Sequence, residues 1–430
     1  MPYNIGKMDK NILRQVLADN AKLIGRLDVM PREYNVETDK NYIFTGVRRA
    51  GKSYMQYALI KKLLSEGYGM NDILYMNFED ERIDSFTMTD FNLLLECHQE
   101  LYACRPHIFL DEMQNIEGWE KFARRMADSK YHICLTGSNA KMLSKEIMTT
   151  LGGRFLQKDI YPFSFREYLD ALNIPYGNIN LLDTDSRASF FRHYNEYLTN
   201  GGMPETVNMN IKREYLSSTY QKIYLNDIAT RNGINNMNAL RLLVKKIAES
   251  VGQPLSYNRL SHILSSFNGK ISVPTVQSYV SYAEDAWLLL RLRNITGSLS
   301  EKESACKYYF IDNGFLNLFL LNGETSLLEN LVALELFRRF GHDSEHDTVY
   351  FYNSGVEIDF YVPEKEWAIQ VSYSLSDIDT RKRETTALEK ITKVLPCRRR
   401  TIITYDSEES IVDSKGDIDV VPCWKWLLEE

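Results

Sequence analysis

The stretch "FTGVRRAGKSYMQ", residues 44–56, decides how the first part of this chain is read. Gly46 and Gly51 stand with four residues between them, and Lys52 and Ser53 follow. An apolar strand, "YIF", leads in, and a helical run, "KSYMQYALIKKLLSEGYG", leads out. That context matters because the spacing alone is common. Glycines let backbone N–H groups turn inward, and a helix start adds partial positive charge, so the pair makes a phosphate cradle. The cradle is expected to comprise Gly46, Val47, Arg48, Arg49, Ala50, Gly51, Lys52, Ser53 and Tyr54. Lys52 is expected to reach the β- and γ-phosphates, and the Ser53 hydroxyl to ligate Mg²⁺. Arg48 and Arg49 read as tolerated loop residues, because such a loop works through its backbone.

A second motif supports the first. "HIFLDEMQN", residues 107–115, is an apolar strand that ends in Asp111 and Glu112. Two carboxylates there are costly unless a cation or water receives them. Asp111 is the expected metal ligand, and Glu112 the group that polarises water. A third strand, "ICLTGSN", ends at Ser138 and Asn139, which are placed to sense a γ-phosphate or orient water. In "LGGRF", Arg154 follows two glycines and is a candidate γ-phosphate contact, in cis or across a subunit interface. Strands near "NYIFTG", "DILYMNFED", "RPHIFLDEM" and "YHICLTGSN" alternate with helical segments, which predicts a parallel α/β sheet.

Further along, residues 210–290 read as helical. The run "LSYNRLSHILSSFNGKISVPTVQSYVSYAEDAWLLLRLRNI" reads as helix, turn, helix and strand, with Pro274 at a helix start. This resembles a winged helix-turn-helix with its second helix over 274–287. From about 300 the pattern becomes helix, hairpin, helix, strand, a small α/β domain. The expected fold class is therefore α/β and multi-domain. A P-loop ATPase domain with an N-terminal helix is expected over 1–168, a helical connector and winged-helix domain over 169–298, and a small α/β domain, restriction-endonuclease-like by resemblance, over 299–430.

In "GVEIDFYVPEKEWAIQVSYS", Glu357 and Asp359 alternate on a strand and share a face. Gln370 and Ser372 are expected to share a face of the next strand, with Glu329 and Glu335 upstream on a helix. A metal-dependent nuclease needs carboxylates and a lysine around its ion. Neutral Gln370 and uncharged Ser372 stand where Glu and Lys are needed, so the site reads as degenerate and is not expected to cleave. The basic runs "TRKR" (380–383) and "CRRRT" (397–401) are candidate phosphate-backbone contacts.

The 430 residues carry a formal net charge of −7, which supplies no global drive toward nucleic acid. Six cysteines, none in a CxxC pair, argue against a disulfide framework or zinc site and for a reducing cytoplasm. No window is apolar enough to span a membrane, and the start lacks a signal core. The protein is expected to be cytoplasmic with no membrane partner.

Taken in order, "GVRRAGKS", "FLDEMQNIEGWE", "LTGSNAKMLSKE", "LGGRF", "YPFSFREYL", "GGMPE", "YYFIDNGFLN", "LLENLVALEL" and "VEIDF" span nearly the whole chain. The chain resembles prokaryotic AAA-like P-loop ATPases whose C-terminal half is a domain of unknown function, with a winged-helix segment and a PD-(D/E)XK-nuclease-like end. The resemblance implies ATP and Mg²⁺ as cofactors and a nucleotide site at Lys52, Ser53, Asp111, Glu112, Ser138, Asn139 and Arg154. It also implies a nuclease-like pattern at Glu329, Glu335 and Asp359, from which Gln370 and Ser372 depart. ATP over GTP rests on the resemblance alone. The expected function is an ATP-hydrolysing switch coupled to DNA, a protein partner or a homo-oligomer. A slow-turnover ATP-binding interaction module and a metal-dependent nuclease are the alternatives.

Overall fold

The computed structural model describes residues 8–177, 183–297, 305–321, 323–341, 347–413 and 416–429. The chain divides into two compact units, Met1–Tyr161 and Pro162–Glu430. The boundary expected at 298/299 lies outside the described residues.

In the first unit the strands are β1 (Tyr42–Thr45), β2 (Ile73–Asn77), β3 (His107–Asp111), β4 (Ile133–Gly137) and β5 (Leu156–Asp159). They form a parallel sheet in the order β2-β3-β4-β1-β5. β1 and β4 are buried throughout, as strands covered on both faces must be. The four strands expected from the sequence are present, and the flanking helices include Lys10–Arg26, Lys52–Ser65, Phe91–Tyr102 and Trp119–Asp128. This parallel sheet flanked by helices is the architecture of a P-loop NTPase. One face of its core is aromatic, with Phe91 stacked on Phe122 at 4.0 Å between ring centroids.

The sheet order puts β1 between β4 and β5, and β3 between β2 and β4. The carboxyl ends of β1, β3 and β4 therefore open side by side, where a doubly wound sheet binds its ligand.

The second unit carries β6 (Leu255–Ser256), β7 (Leu289–Asn294), β8 (Ala305–Phe310), β9 (Tyr350–Asn353), β10 (Glu357–Val362), β11 (Trp367–Val371), β12 (Arg399–Thr404), β13 (Glu409–Asp413) and β14 (Gly416–Pro422). Among the described residues they make one mixed sheet, ordered β13-β14-β12-β11-β10-β9-β7-β8-β6. Helices Tyr257–Asn268 and Val273–Asp285 lie between β6 and β7 in sequence, and Pro274 stands in the first turn of the latter. β8 pairs antiparallel with both β6 and β7. Helix Glu324–Phe340 precedes β9, and helix Ile378–Ile391 connects parallel β11 and β12.

Helix Glu324–Phe340 is tied to β8 by Asn330. Its side chain accepts from Phe310 N–H at 2.7 Å and donates to the Phe310 carbonyl at 2.9 Å. It also donates to Asn313 Oδ1, and Asn313 donates to the Leu198 and Leu327 carbonyls. The repeated asparagines of "IDNGF" and "LLENL" are thus a buried network with its groups matched.

Candidate nucleotide site and a second charged cluster

β1 feeds the loop at Gly46, whose φ is +148°. A Cβ at Gly46 would fall 2.2 Å from the Ile160 carbonyl oxygen, so only glycine fits. Gly51, at φ +100°, is the N-cap of helix Lys52–Ser65 and has no side chain to cap it. The first N–H groups of that helix are thus left to an outside acceptor. Arg32 braces the loop by donating to Ala50 O at 3.1 Å and Tyr161 O at 2.9 Å. Gln56, fully buried, pins the helix to the sheet through the carbonyls of Leu110 and Cys134.

The Lys52 side chain is 3% exposed; its Nζ donates to the Val47 carbonyl at 3.0 Å and lies 4.0 Å from Glu112 Oε1. Asp111, the last residue of β3, is buried and receives hydrogen bonds from Tyr75 OH at 2.9 Å, from Thr136 Oγ1 and from the Ser53 hydroxyl. Burial, and then the Glu112 charge, push the Asp111 carboxyl above its ordinary range. A cation beside it would reverse that. Glu112 is held in the left-handed region at φ +57°. Burial raises its carboxyl, but Lys52, a hydrogen bond from Gln114 and the Arg48 charge more than offset this, so it is held below its ordinary range. Thr136 ties the pair together, because its Oγ1 accepts the Glu112 N–H at 3.0 Å and donates to Asp111.

The donor set of Ser53 hydroxyl and Asp111 carboxylate is hard oxygen at the head of an uncapped helix, and it fits Mg²⁺ beside phosphate. Ser138 Oγ accepts from Gln114 Nε2 at 3.1 Å and lies against Glu112. Asn139 Oδ1 accepts the Lys141 N–H at 2.8 Å, capping the short helical turn that follows. Arg48 pairs with Glu79 at 2.8 Å rather than extending into solvent, and Arg49 adopts φ +67°. Tyr54 is 47% exposed. The structure therefore assembles Lys52, Ser53, Asp111, Glu112 and Ser138. Arg154 is engaged elsewhere, by Asp128 and the carbonyls of Leu151 and Gly152. Sequence reading missed Thr136, Tyr75, Gln114 and Arg32; "LTGSN" and "DEMQN" carried the only signals, for Thr136 and Gln114.

The second cluster differs from expectation. Glu329, Glu357, Asp359 and Gln370 do converge, but Glu335 does not join them. It faces Arg338 and Arg339, three and four residues on along its own helix. Ser372 also stands apart: β11 ends at Val371, and the Ser372 hydroxyl donates to the Ser374 carbonyl at 3.0 Å. The missing cation is present, supplied by Lys307 of β8, whose Nζ lies 3.2 Å from Asp359 Oδ1. The expected basic contacts form surface ion pairs, Arg381 with Glu409, Arg383 with Glu384 and Arg398 with Glu366, and Arg383 and Arg398 stay exposed. Arg400 is 3% exposed. No helix among the described residues is long and apolar enough to cross a membrane.

Comparison with known proteins agrees with the geometry of the first unit. Residues 38–169 match the AAA domain, and residues 191–326 match a domain of unknown function (DUF8612). An uncharacterized protein of Haemophilus influenzae is 30% identical over 403 residues, covering 91% of this chain and 95% of that protein. The Walker-type ATPase PABY2304 of Pyrococcus abyssi superposes with a TM-score of 0.40 at 13% identity, over 73% of this chain and 96% of that one. The uncharacterized protein MJ1544 of Methanocaldococcus jannaschii is 33% identical over 436 residues, covering 98% of this chain and 96% of that protein. At that identity over nearly its whole length, the chain belongs to the family of MJ1544, and it joins a P-loop AAA domain to a C-terminal domain of unknown function.

Proposed function

We propose that this protein is a Mg²⁺-dependent ATP hydrolase that works as a switch for a macromolecular partner. The observation that carries the reading is the uncapped start of helix Lys52–Ser65 beside the Lys52, Ser53, Asp111 and Glu112 side chains. Backbone N–H groups of residues 46–53 would receive the phosphates. Lys52, released from the Val47 carbonyl and Glu112, would move to the β- and γ-phosphate oxygens. Ser53 and Asp111 would hold Mg²⁺, which when bound neutralises phosphate charge. Glu112 stays ionised and would orient the attacking water, held by Gln114 and Ser138. Asn139 would report the γ-phosphate through the turn that it caps. Arg154 would act only after leaving Asp128.

In the second unit, the order of β6, the two helices that follow it and the antiparallel β7–β8 pair supports reading this region as a winged helix. Its second helix, Val273–Asp285, carries no lysine or arginine, and its exposed positions include Pro274, Gln277 and Ser281. With no cation on that helix, a protein partner fits this surface better than a phosphate backbone does. DNA is the second reading, carried by the winged-helix connectivity. DNA cleavage is not proposed. The domain limits 1–168, 169–298 and 299–430 are kept as proposed functional divisions.

Steady-state ATP turnover by the full chain tests the proposal. Turnover should require Mg²⁺, vanish in Lys52→Ala and fall about 100-fold in Glu112→Gln with ATP still bound. Wild-type protein that binds ATP without hydrolysing it in a single-turnover assay would make it a binding module. A rate that rises with duplex DNA and falls with salt would move DNA ahead of a protein partner.

A further inference from the structure

Two elements of the second unit, helix Glu324–Phe340 and β10, bring carboxylates to one ammonium group on a third, β8. Lys307 lies on β8 with its side chain fully buried; its Nζ is 3.2 Å from Glu357 Oε1, 3.2 Å from Asp359 Oδ1 and 3.8 Å from Glu329 Oε1. Two of the three carboxylates, Glu329 and Asp359, are fixed from behind. Tyr309 OH donates to Glu329 Oε1 at 2.8 Å, and the Val371 N–H donates to Asp359 Oδ2 at 2.9 Å. Gln370 accepts the Asp359 N–H, and it donates to the Glu357 carbonyl and to Glu384 Oε2. Behind Glu329 lies Gly252, where a Cβ would fall 2.2 Å from the Glu329 carboxylate.

Three carboxylates aimed at one point make a donor set suited to a hard divalent ion. Here the point is taken. Glu357 and Asp359 stand at hydrogen-bonding distance from the nitrogen and Glu329 farther off, none at the ~2.0–2.6 Å of metal–oxygen bonds. Spread around the lysine, these carboxylates are not spaced as metal ligands, and among the described residues no group of three or more His, Cys, Asp and Glu is. Burial alone would favour a neutral amine at Lys307, but Asp359, Glu329 and Glu357 hold its proton on. The cluster is not sealed, since the Glu357 side chain is 43% exposed. An ion has a way in and, while Lys307 is there, no place to bind.

We propose that Lys307 is a built-in cation, its ammonium occupying the focus of Glu329, Glu357 and Asp359 and excluding divalent metal. Removing the ammonium turns the same cluster into a divalent-cation site. The reasoning is electrostatic: without Lys307, Glu329 and Asp359 lose the cation set among them, the Arg383 charge offsets Asp359 and Glu357 only in part, and a divalent ion supplies more charge than the lysine did. The proposal is independent of the nucleotide chemistry.

The test uses the full chain, free of nucleotide, at pH 8, titrated with Mn²⁺ and separately with Tb³⁺. Terbium luminescence is excited through tyrosine, since Tyr309 touches Glu329. Wild type should show no saturable site that Asp359→Asn removes. Lys307→Ala should gain one site, binding at least about tenfold more tightly than any wild-type site, and the double variant Lys307→Ala/Asp359→Asn should lose it. A wild-type site that Asp359→Asn removes would overturn the proposal, as would folded Lys307→Ala with no gain. If Lys307→Ala unfolds in metal-free buffer, refolding by Mn²⁺ supports the proposal and failure to refold with Mn²⁺ counts against it. The wild-type comparison decides independently of that variant.

Discussion

Thr136 donates its hydroxyl to Asp111 while accepting the backbone N–H of Glu112. One hydroxyl on β4 therefore orients both carboxylates at the end of β3. Thr136→Val keeps the shape and removes both hydrogen bonds. Each buried group left unmatched costs about 1–3 kcal/mol. ATP turnover is expected to fall about 10- to 100-fold, as for other residues that orient a metal ligand. Thr136→Ser should recover most of it, measured as kcat against Mg²⁺ concentration.

Two glycines of the first unit should respond differently to alanine. At Gly46 the added Cβ would collide with the Ile160 carbonyl at 2.2 Å, which a backbone atom cannot relieve. At Gly153, φ is +71° but no heavy atom lies within 4 Å. Gly153→Ala should cost only the left-handed strain, about 1 kcal/mol. Gly46→Ala should cost about 3 kcal/mol and abolish nucleotide binding. Thermal unfolding with and without ATP separates the two.

Arg154 is held by Asp128, so a role on the nucleotide requires its release. Asp128→Asn should leave turnover at the wild-type level or above it. Arg154→Ala should lower turnover about tenfold or more. A parallel loss in both variants would make Arg154 a structural strut.

The Glu329 carboxyl gives the second unit a pH signature. Burial, and next the charge of Asp359, push it up to about 7, from an ordinary value of 4.5. Between those values the folded chain keeps a proton that the unfolded chain has released. Stability therefore falls as pH rises through that window, by up to about 1.4 kcal/mol per pH unit, and levels off above it. Glu329→Gln removes the slope, so the variant should gain on wild type from pH 5 to pH 8. Urea midpoints at the two pH values provide the check; equal slopes would rule the assignment out.

Asn330 stands in for a backbone strand at Phe310, matching both its N–H and its carbonyl. Asn330→Leu is of similar size but leaves both groups unpaired. Thermal unfolding should register a loss of about 2–5 kcal/mol.

The legible part of the fold was the part written locally. β1 to β4 are short apolar runs with turn residues at their ends, and each was visible in the sequence. β5 was not, because "LQKD" is a polar edge strand; its place comes from pairing with β1 and from Thr45 donating to Asp159 at 2.8 Å. The candidate nucleotide site follows the same rule. Lys52 and Ser53 lie in one motif and Asp111 and Glu112 in another, so spacing exposed them. Tyr75 and Thr136 reach Asp111 from neighbouring strands, and single tyrosines and threonines carry no spacing. Lys307 is the sharpest case. It lies 52 residues from the carboxylate that it neutralises, and only a charge set inside the buried run "ACKYYF" hinted at it.

The unbroken sheet of the second unit has a practical consequence. β7 pairs with β9 as well as with β8, so the helical region and the chain's end share one hydrogen-bonded ladder. Cutting near residue 298 would part β7 from β8 and leave raw edges on both pieces. Fragments cut there should be sticky and poorly folded, while one spanning 162–430 should express as a single body. The divisions 169–298 and 299–430 thus share one sheet, and whatever each does, neither stands as a folding unit of its own.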